Sequence, residues 1–158
     1  MNAPSWLDIT KDFAIILAGF IALITFLHGA LEYSRQGAQL RTQQFVQMRR
    51  RFMEEASFRE MCTLLITDDQ KLRDLPVQDK RNFGGFFEEI ALLMNSGVLK
   101  KEVVHYMFGY YAILCWESEN FWFGIERDSI YWTLFHEFAE QMKRCEYDYR
   151  FDRKRLRF

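Results

Sequence analysis

The chain has 158 residues, 49% of them apolar and 17% aromatic, with a formal net charge of −1. This composition excludes an intrinsically disordered chain, which needs few apolar residues and a high net charge, and the balanced charge by itself points to no particular partner. Cys62, Cys115 and Cys145 are odd in number and widely spaced with no C-x-x-C pair, which suits a reducing compartment better than a disulfide framework.

After a short N-terminal segment, residues 1–11, the stretch 12–36 reads DFAIILAGFIALITFLHGALEYSRQ. Asp12 and Glu32 bracket 19 residues, 13 to 31, with no formal charge. At 1.5 Å per residue such a helix reaches about 28 Å, close to the roughly 30 Å of a bilayer's hydrocarbon. A single membrane span is the leading reading. Two others stay open. A cleaved signal would want a basic start and small residues before the cut, whereas this segment follows Asp8-Ile9-Thr10-Lys11-Asp12 and places His28 two before Ala30. A buried helix of a soluble core would usually carry a polar face, and here only Thr25 and His28 are polar. Lys11 precedes the span while Arg35, Arg41 and Arg49-Arg50-Arg51 follow it, so the N-terminus is expected outside and the rest in the cytoplasm.

Beyond the span, residues 37–144 should form one small helical bundle, because only Pro4 and Pro76 interrupt the chain and no run alternates with period two. From Arg41 to about Thr67, Phe45, Met48, Phe52 and Ala56 recur at helical spacing, with Gly37 a point where the junction could bend. Thr67 to Pro76 reads as a loop. A helix from Val77 to Ser96 should bury Phe83, Phe86, Phe87, Ile90 and Met94 and end at Gly97 in a left-handed cap. The next, Lys100 to Glu119, carries Val103, Met107, Tyr110, Tyr111 and Leu114. A last one, Ile130 to Arg144, is expected behind an Asp128-Ser129 cap with Trp132, Phe135 and Phe138 inward. Residues 145–158 form a basic and aromatic tail. The predicted class is therefore all-α: an N-terminal transmembrane helix and a cytoplasmic helical bundle.

Catalytic chemistry finds little purchase. His136-Glu137-Phe138-Ala139-Glu140 resembles the start of a zinc-protease helix but has Glu140 where the second histidine is needed. Glu102-Val103-Val104-His105 has the E-x-x-H spacing of di-iron bundles in a single copy, where two are required. Gly84-Gly85 lacks a phosphate-loop pattern and reads as helix packing. No enzyme, metal or cofactor is expected.

Two features of the span suggest assembly. Ala14, Ala18, Ala22, Thr25 and Gly29 lie within about 80° of one another at 100° per residue, and small residues let helices approach closely in lipid. A single span has only its own copies, or a partner, to pack against. Leu17, Ile21, Thr25 and His28 form an overlapping face that would line a narrow pore in a homo-oligomer, dry at Leu17 and Ile21 and wetter at His28. The plainer alternative is that alanine and glycine are common in membrane helices and His28 meets headgroups.

Two basic clusters follow. Arg49, Arg50 and Arg51 lie far enough from the span to face a ligand of the bundle. Residues 144–158 hold six bases against three acids, interleaved with Tyr147, Tyr149, Phe151 and Phe158, and Lys143, Arg144 and Arg150 are the candidate ligand contacts there. Bases with aromatic rings suit single-stranded nucleic acid, although a solvated tail explains the same residues. The aromatics between Tyr106 and Phe123 exceed what one small core requires, so some are expected at a subunit interface or shared cavity.

The run FFEEIALLMNSGVLKKEVVHYMFGYY, residues 86–111, with the single span ahead of an arginine-rich helix and the later YWTLFHEF, resembles a family of small bacterial single-span helical membrane proteins. In size and layout the chain is similar to the membrane effector of Hailong anti-phage systems. The resemblance covers about residues 12–142 and rests on apolar spacing plus Gly97 and Glu102. It implies a homotetrameric ion channel in a bacterial inner membrane, held shut by single-stranded DNA oligomers made by a partner nucleotidyltransferase. It transfers no ligand residue. The expected function is thus a homo-oligomeric channel effector gated by a nucleic acid or nucleotide, the alternative a membrane-anchored protein-interaction module. A membrane-tethered metalloenzyme using His105 or His136 stands third.

Overall fold

A computed structural model describes residues 6–148, with side chains described from residue 16 to 146 apart from 34 and 38. All regular structure among the described residues is helical. The chain divides into two units, one up to Leu40 and one from Arg41 onward. Helix α1 (Trp6–Glu54) begins in the first and ends in the second, with helical assignment uninterrupted at Gly37. In the first unit an 18-residue window of α1 has a mean hydropathy of 1.7 with none of it buried, so this helix is long and apolar enough to cross a membrane.

In the second unit α1 does not run on to Thr67 as the spacing predicts. Glu55 adopts an extended backbone (φ −68°, ψ 121°) and α2 (Ala56–Leu65) restarts after it. In one unbroken helix Phe52 and Phe58 would stand about 120° apart. The break turns α2 so that Phe58, Met61 and Leu65 enter the same core as Phe52. A 3-10 turn, Gln70–Arg73, occupies the predicted loop, its start fixed by the Asp69 carboxylate accepting from the Lys71 N–H at 2.9 Å.

Helix α3 (Val77–Asn95) buries Phe83, Phe86, Phe87 and Ile90, with Met94 packed at the core's edge. Gly97 follows with φ +70°, the left-handed value that glycine adopts without strain, and Val98 and Leu99 donate back to the Leu93 carbonyl. The third predicted helix is composite: α4 (Lys101–Val104), a π segment (His105–Gly109) and α5 (Tyr110–Glu117). The wider turn shifts the register. Val104, Phe108, Ala112 and Cys115 line the core, while Tyr110, placed on the apolar stripe by its spacing, is exposed.

Helix α6 (Glu119–Trp122) is capped by the Ser118 hydroxyl, which accepts from the Phe121 N–H at 2.9 Å, and the Trp122 indole donates to the Cys115 and Trp116 carbonyls at the end of α5. A 3-10 turn, Ile130–Trp132, precedes α7 (Thr133–Asp148), which begins three residues later than the Asp128-Ser129 cap implies. The Ser129 side chain makes no cap hydrogen bond. Glu88 of α3 lies within electrostatic reach of the Phe135 backbone in the first turn of α7, and burial, the larger influence, raises that carboxyl's pKa. Phe135 and Phe138 are buried, and Trp132 is packed against the core.

Phe52 sits at the centre of this unit. Its ring lies 5.4 Å from that of Phe86 in a stacked pair and 5.5 Å from that of Phe108 edge-on, with Phe58, Phe83, Phe87 and Tyr111 also around it. Offset and edge-to-face pairs of this kind add about 0.5–1.5 kcal/mol each beyond area burial.

Candidate functional site

Every described side chain from Ile16 to Tyr33 is exposed, Leu17, Ile21, Thr25 and His28 among them. The Thr25 hydroxyl donates to the Ile21 carbonyl at 2.8 Å, so its donor is satisfied within the helix and needs no water. Ala18, Ala22 and Gly29 are uncovered as well, and a Cβ built on Gly29 would meet nothing within 4 Å. The side chain of Ala14 lies outside the described residues. Both proposed faces of the span are therefore open surfaces in a single copy.

The three arginines do not share one task, because successive helical positions turn by about 100°. Arg49 is exposed. Arg50 pairs one turn on with Glu54 at 2.8 Å, an exposed pair. Arg51 reaches across to α3, where both oxygens of Glu89 accept from its Nη1 at 3.1 and 2.9 Å, and Glu55 lies 3.5 Å from its Nε. Its guanidinium also sits 5.5 Å from the Phe58 ring centre and 5.7 Å from that of Phe86. Arg51 thus pins the end of α1 to α2 and α3.

On α7, Lys143 is paired with Glu117 of α5 and lies 4.0 Å from Glu140. Arg144 is exposed beside an open groove of about 490 Å³ that it lines with His136, Glu137, Glu140 and Gln141. Arg150, with the rest of the tail beyond Asp148, lies outside the described residues. Arg51 and Lys143 are held by different partners, Glu89 of α3 and Glu117 of α5, so no single basic surface is built from these two.

The two histidines considered for metal occupy different settings. His136 stacks on Trp116, ring centres 4.7 Å apart and 15° from parallel. His105 opens the π segment, and burial pushes its pKa below the usual imidazole value. Among the described residues no three His, Cys, Asp or Glu side chains converge as a metal site. Cys115 is buried, Cys62 is half-buried with its thiol pushed up to about 12 by burial, and both are therefore poor nucleophiles.

No family model, curated protein or solved structure matches the chain. The site must be argued from its residues.

Two arrangements carried no sequence signal. Lys80 is fully buried and donates to the Phe123 carbonyl at 2.7 Å. Asp68, at φ 47°, is bonded through its carboxylate to the Ser118 hydroxyl and through its carbonyl to the Asn120 amide, which in turn accepts from Arg73 at 2.6 Å. These groups tie the loop after α2 to α6. The second is a cavity of about 170 Å³ lined by His105, Tyr106, Tyr110, Ile113 and Glu146. A π turn is invisible to a 3.6-residue pattern, and Glu146 comes from another helix. Of the aromatics between residues 106 and 123, Phe108, Phe121 and Trp122 are core, whereas Tyr106, Tyr110 and Phe123 are exposed.

Proposed function

We propose that this chain is a homo-oligomeric ion-channel effector of bacterial anti-phage defence, set in the inner membrane with its N-terminus outside and its helical bundle in the cytoplasm. An anionic ligand on the bundle, a nucleic acid or nucleotide, gates it. One observation carries the reading: a charge-free run of helix whose described side chains are all exposed. At about 25 cal/mol per Å² of apolar surface, such a helix is costly in water and is stabilised by lipid, by other copies or by a partner. The small face of Ala18, Ala22 and Gly29 then packs copy on copy, and Leu17, Ile21, Thr25 and His28 line the pore. A tetramer is favoured, and a nucleotidyltransferase is the partner that supplies a single-stranded DNA ligand, both from the resemblance to the Hailong effector. Of the candidate ligand bases whose side chains are described, Arg49, Arg50 and Arg144 are exposed, with Arg50 paired to Glu54 and Arg51 engaged by Glu89 and two phenylalanines.

The test is conductance of the full chain reconstituted in liposomes. Ions should pass, Ile21→Arg and Thr25→Leu should change the current at least severalfold, and the detergent-solubilised particle should have the mass of several chains. A monomeric particle, or bilayers silent with and without single-stranded oligonucleotide, would overturn the reading. A tethered interaction module is favoured by one other observation, the exposure of Ile130 and Tyr131, at 81% and 84%, in the turn before α7. Replacing residues 12–36 by an unrelated apolar helix separates the two: a tether keeps its activity and a pore loses it.

A further inference from the structure

The cavity beside the π segment has a chemistry that the channel reading does not use. Its lining combines two tyrosines that are more than half exposed, Tyr106 and Tyr110, with one imidazole, one aliphatic side chain and the carboxylate of Glu146. The π turn makes this possible. Bonding from i to i+5 brings residues four and five apart onto one face, so His105, Tyr106 and Tyr110 share a wall. Gly109, four positions after His105, leaves room behind that ring: a Cβ there would lie 3.0 Å from the His105 ring and 3.4 Å from the Met142 sulfur of α7. α7 can therefore pack against the π segment and present Glu146 to the cavity. π segments inside helices occur often at functional sites.

We infer that this cavity binds a small organic cation of the alkylated-ammonium class, held over the faces of Tyr106 and Tyr110 with Glu146 as its counter-charge. Aromatic rings attract a cation through their negative faces, most strongly where water is partly excluded, and a carboxylate at the rim supplies the charge that rings alone lack. There is room for it: about 170 Å³ is the space of roughly five or six waters at about 30 Å³ each, enough to admit a trimethylammonium head. His105 does not oppose the ligand, since burial keeps its ring in the neutral form near pH 7. Lys101 lies within electrostatic reach of His105 but outside the lining, and Glu146 acts on the same ring in the opposite sense.

The experiment is calorimetric titration of the full chain in detergent with choline and, in parallel, with its uncharged isostere carrying carbon in place of nitrogen. Choline should bind saturably and the isostere about tenfold more weakly or not at all. Glu146→Gln and Tyr110→Leu should each weaken choline binding about three- to thirtyfold, the range that cation–π and single-charge contacts span, while Tyr106→Phe, which keeps the ring, should bind within about twofold of wild type. Both truncated residues are exposed, so the variants should fold, and their circular dichroism should match the wild type. Absence of saturable choline binding, equal binding of the isostere, or unchanged binding by Glu146→Gln and Tyr110→Leu would each overturn the proposal. Channel activity is not read in this experiment, so its outcome stands apart from that of the liposome test.

Discussion

Lys80 is the residue whose setting is least expected from its type, because a lysine is rarely fully buried without a carboxylate partner at contact distance. Its ammonium donates to the Phe123 carbonyl, and burial, which outweighs the attraction of Asp74, lowers its pKa below the ordinary 10.5. The sign of the consequence follows from proton counting. Between the folded value and 10.5 the unfolded chain holds the proton that the folded chain has released, so this residue makes the bundle more stable as pH rises through that window. Thermal melting from neutral pH to about pH 10.5 should show Lys80→Met losing an alkaline increment that the wild type has. Parallel melting curves for the two proteins would refute the assignment. Elsewhere at this scale, Arg51 and Lys143 illustrate how a basic residue becomes structural when a carboxylate from another helix meets it.

Among the elements, α3 separates two adjacent glycines that the sequence cannot tell apart. A Cβ on Gly84 would stand 2.9 Å from Cζ3 of Trp132, a rigid ring that stacks edge-on against Trp122, whereas a Cβ on Gly85 would meet nothing within 4 Å. Gly84→Ala should therefore overpack the contact between α3 and the turn before α7, at about 1–3 kcal/mol. Gly85→Ala should stabilise α3 by about 0.5–1 kcal/mol, because alanine loses less backbone entropy in a helix. Chemical denaturation of the two variants should give shifts of opposite sign. Shifts of the same sign would show that Trp132 does not rest on Gly84.

For the molecule as a whole, the bundle depends on one ring. Phe52 is the last large apolar side chain of α1 in the core, and it meets rings from α2, α3, the π segment and α5. Removing it leaves a cavity that four elements would have to fill, so Phe52→Ala should cost about 3–5 kcal/mol, a large part of the roughly 5–15 kcal/mol that holds a typical domain together. Denaturation of the full chain followed by tryptophan emission measures this directly, and a loss below about 1 kcal/mol would mean that the core closes without α1.

By itself the sequence determined what local pattern and composition control. An uncharged block of apolar residues is long enough for a bilayer whatever follows it. The aromatic spacing of α3 and α7 named their buried faces, and Gly97 marked where α3 stops. Everything that needed a partner distant in the chain was decided by tertiary structure. The restart at Glu55 answers to a core that both Phe52 and Phe58 must enter, and the π segment ends at Gly109, where a Cβ would meet the His105 ring and the Met142 sulfur of α7. Arg51 is engaged because Glu89 lies across from it, 38 positions later, and Lys80 is buried because the carbonyl of Phe123 arrives from 43 positions away. Periodicity reports the direction in which a side chain points along its own helix. Which charge, ring or backbone group it meets there is set by how the helices pack.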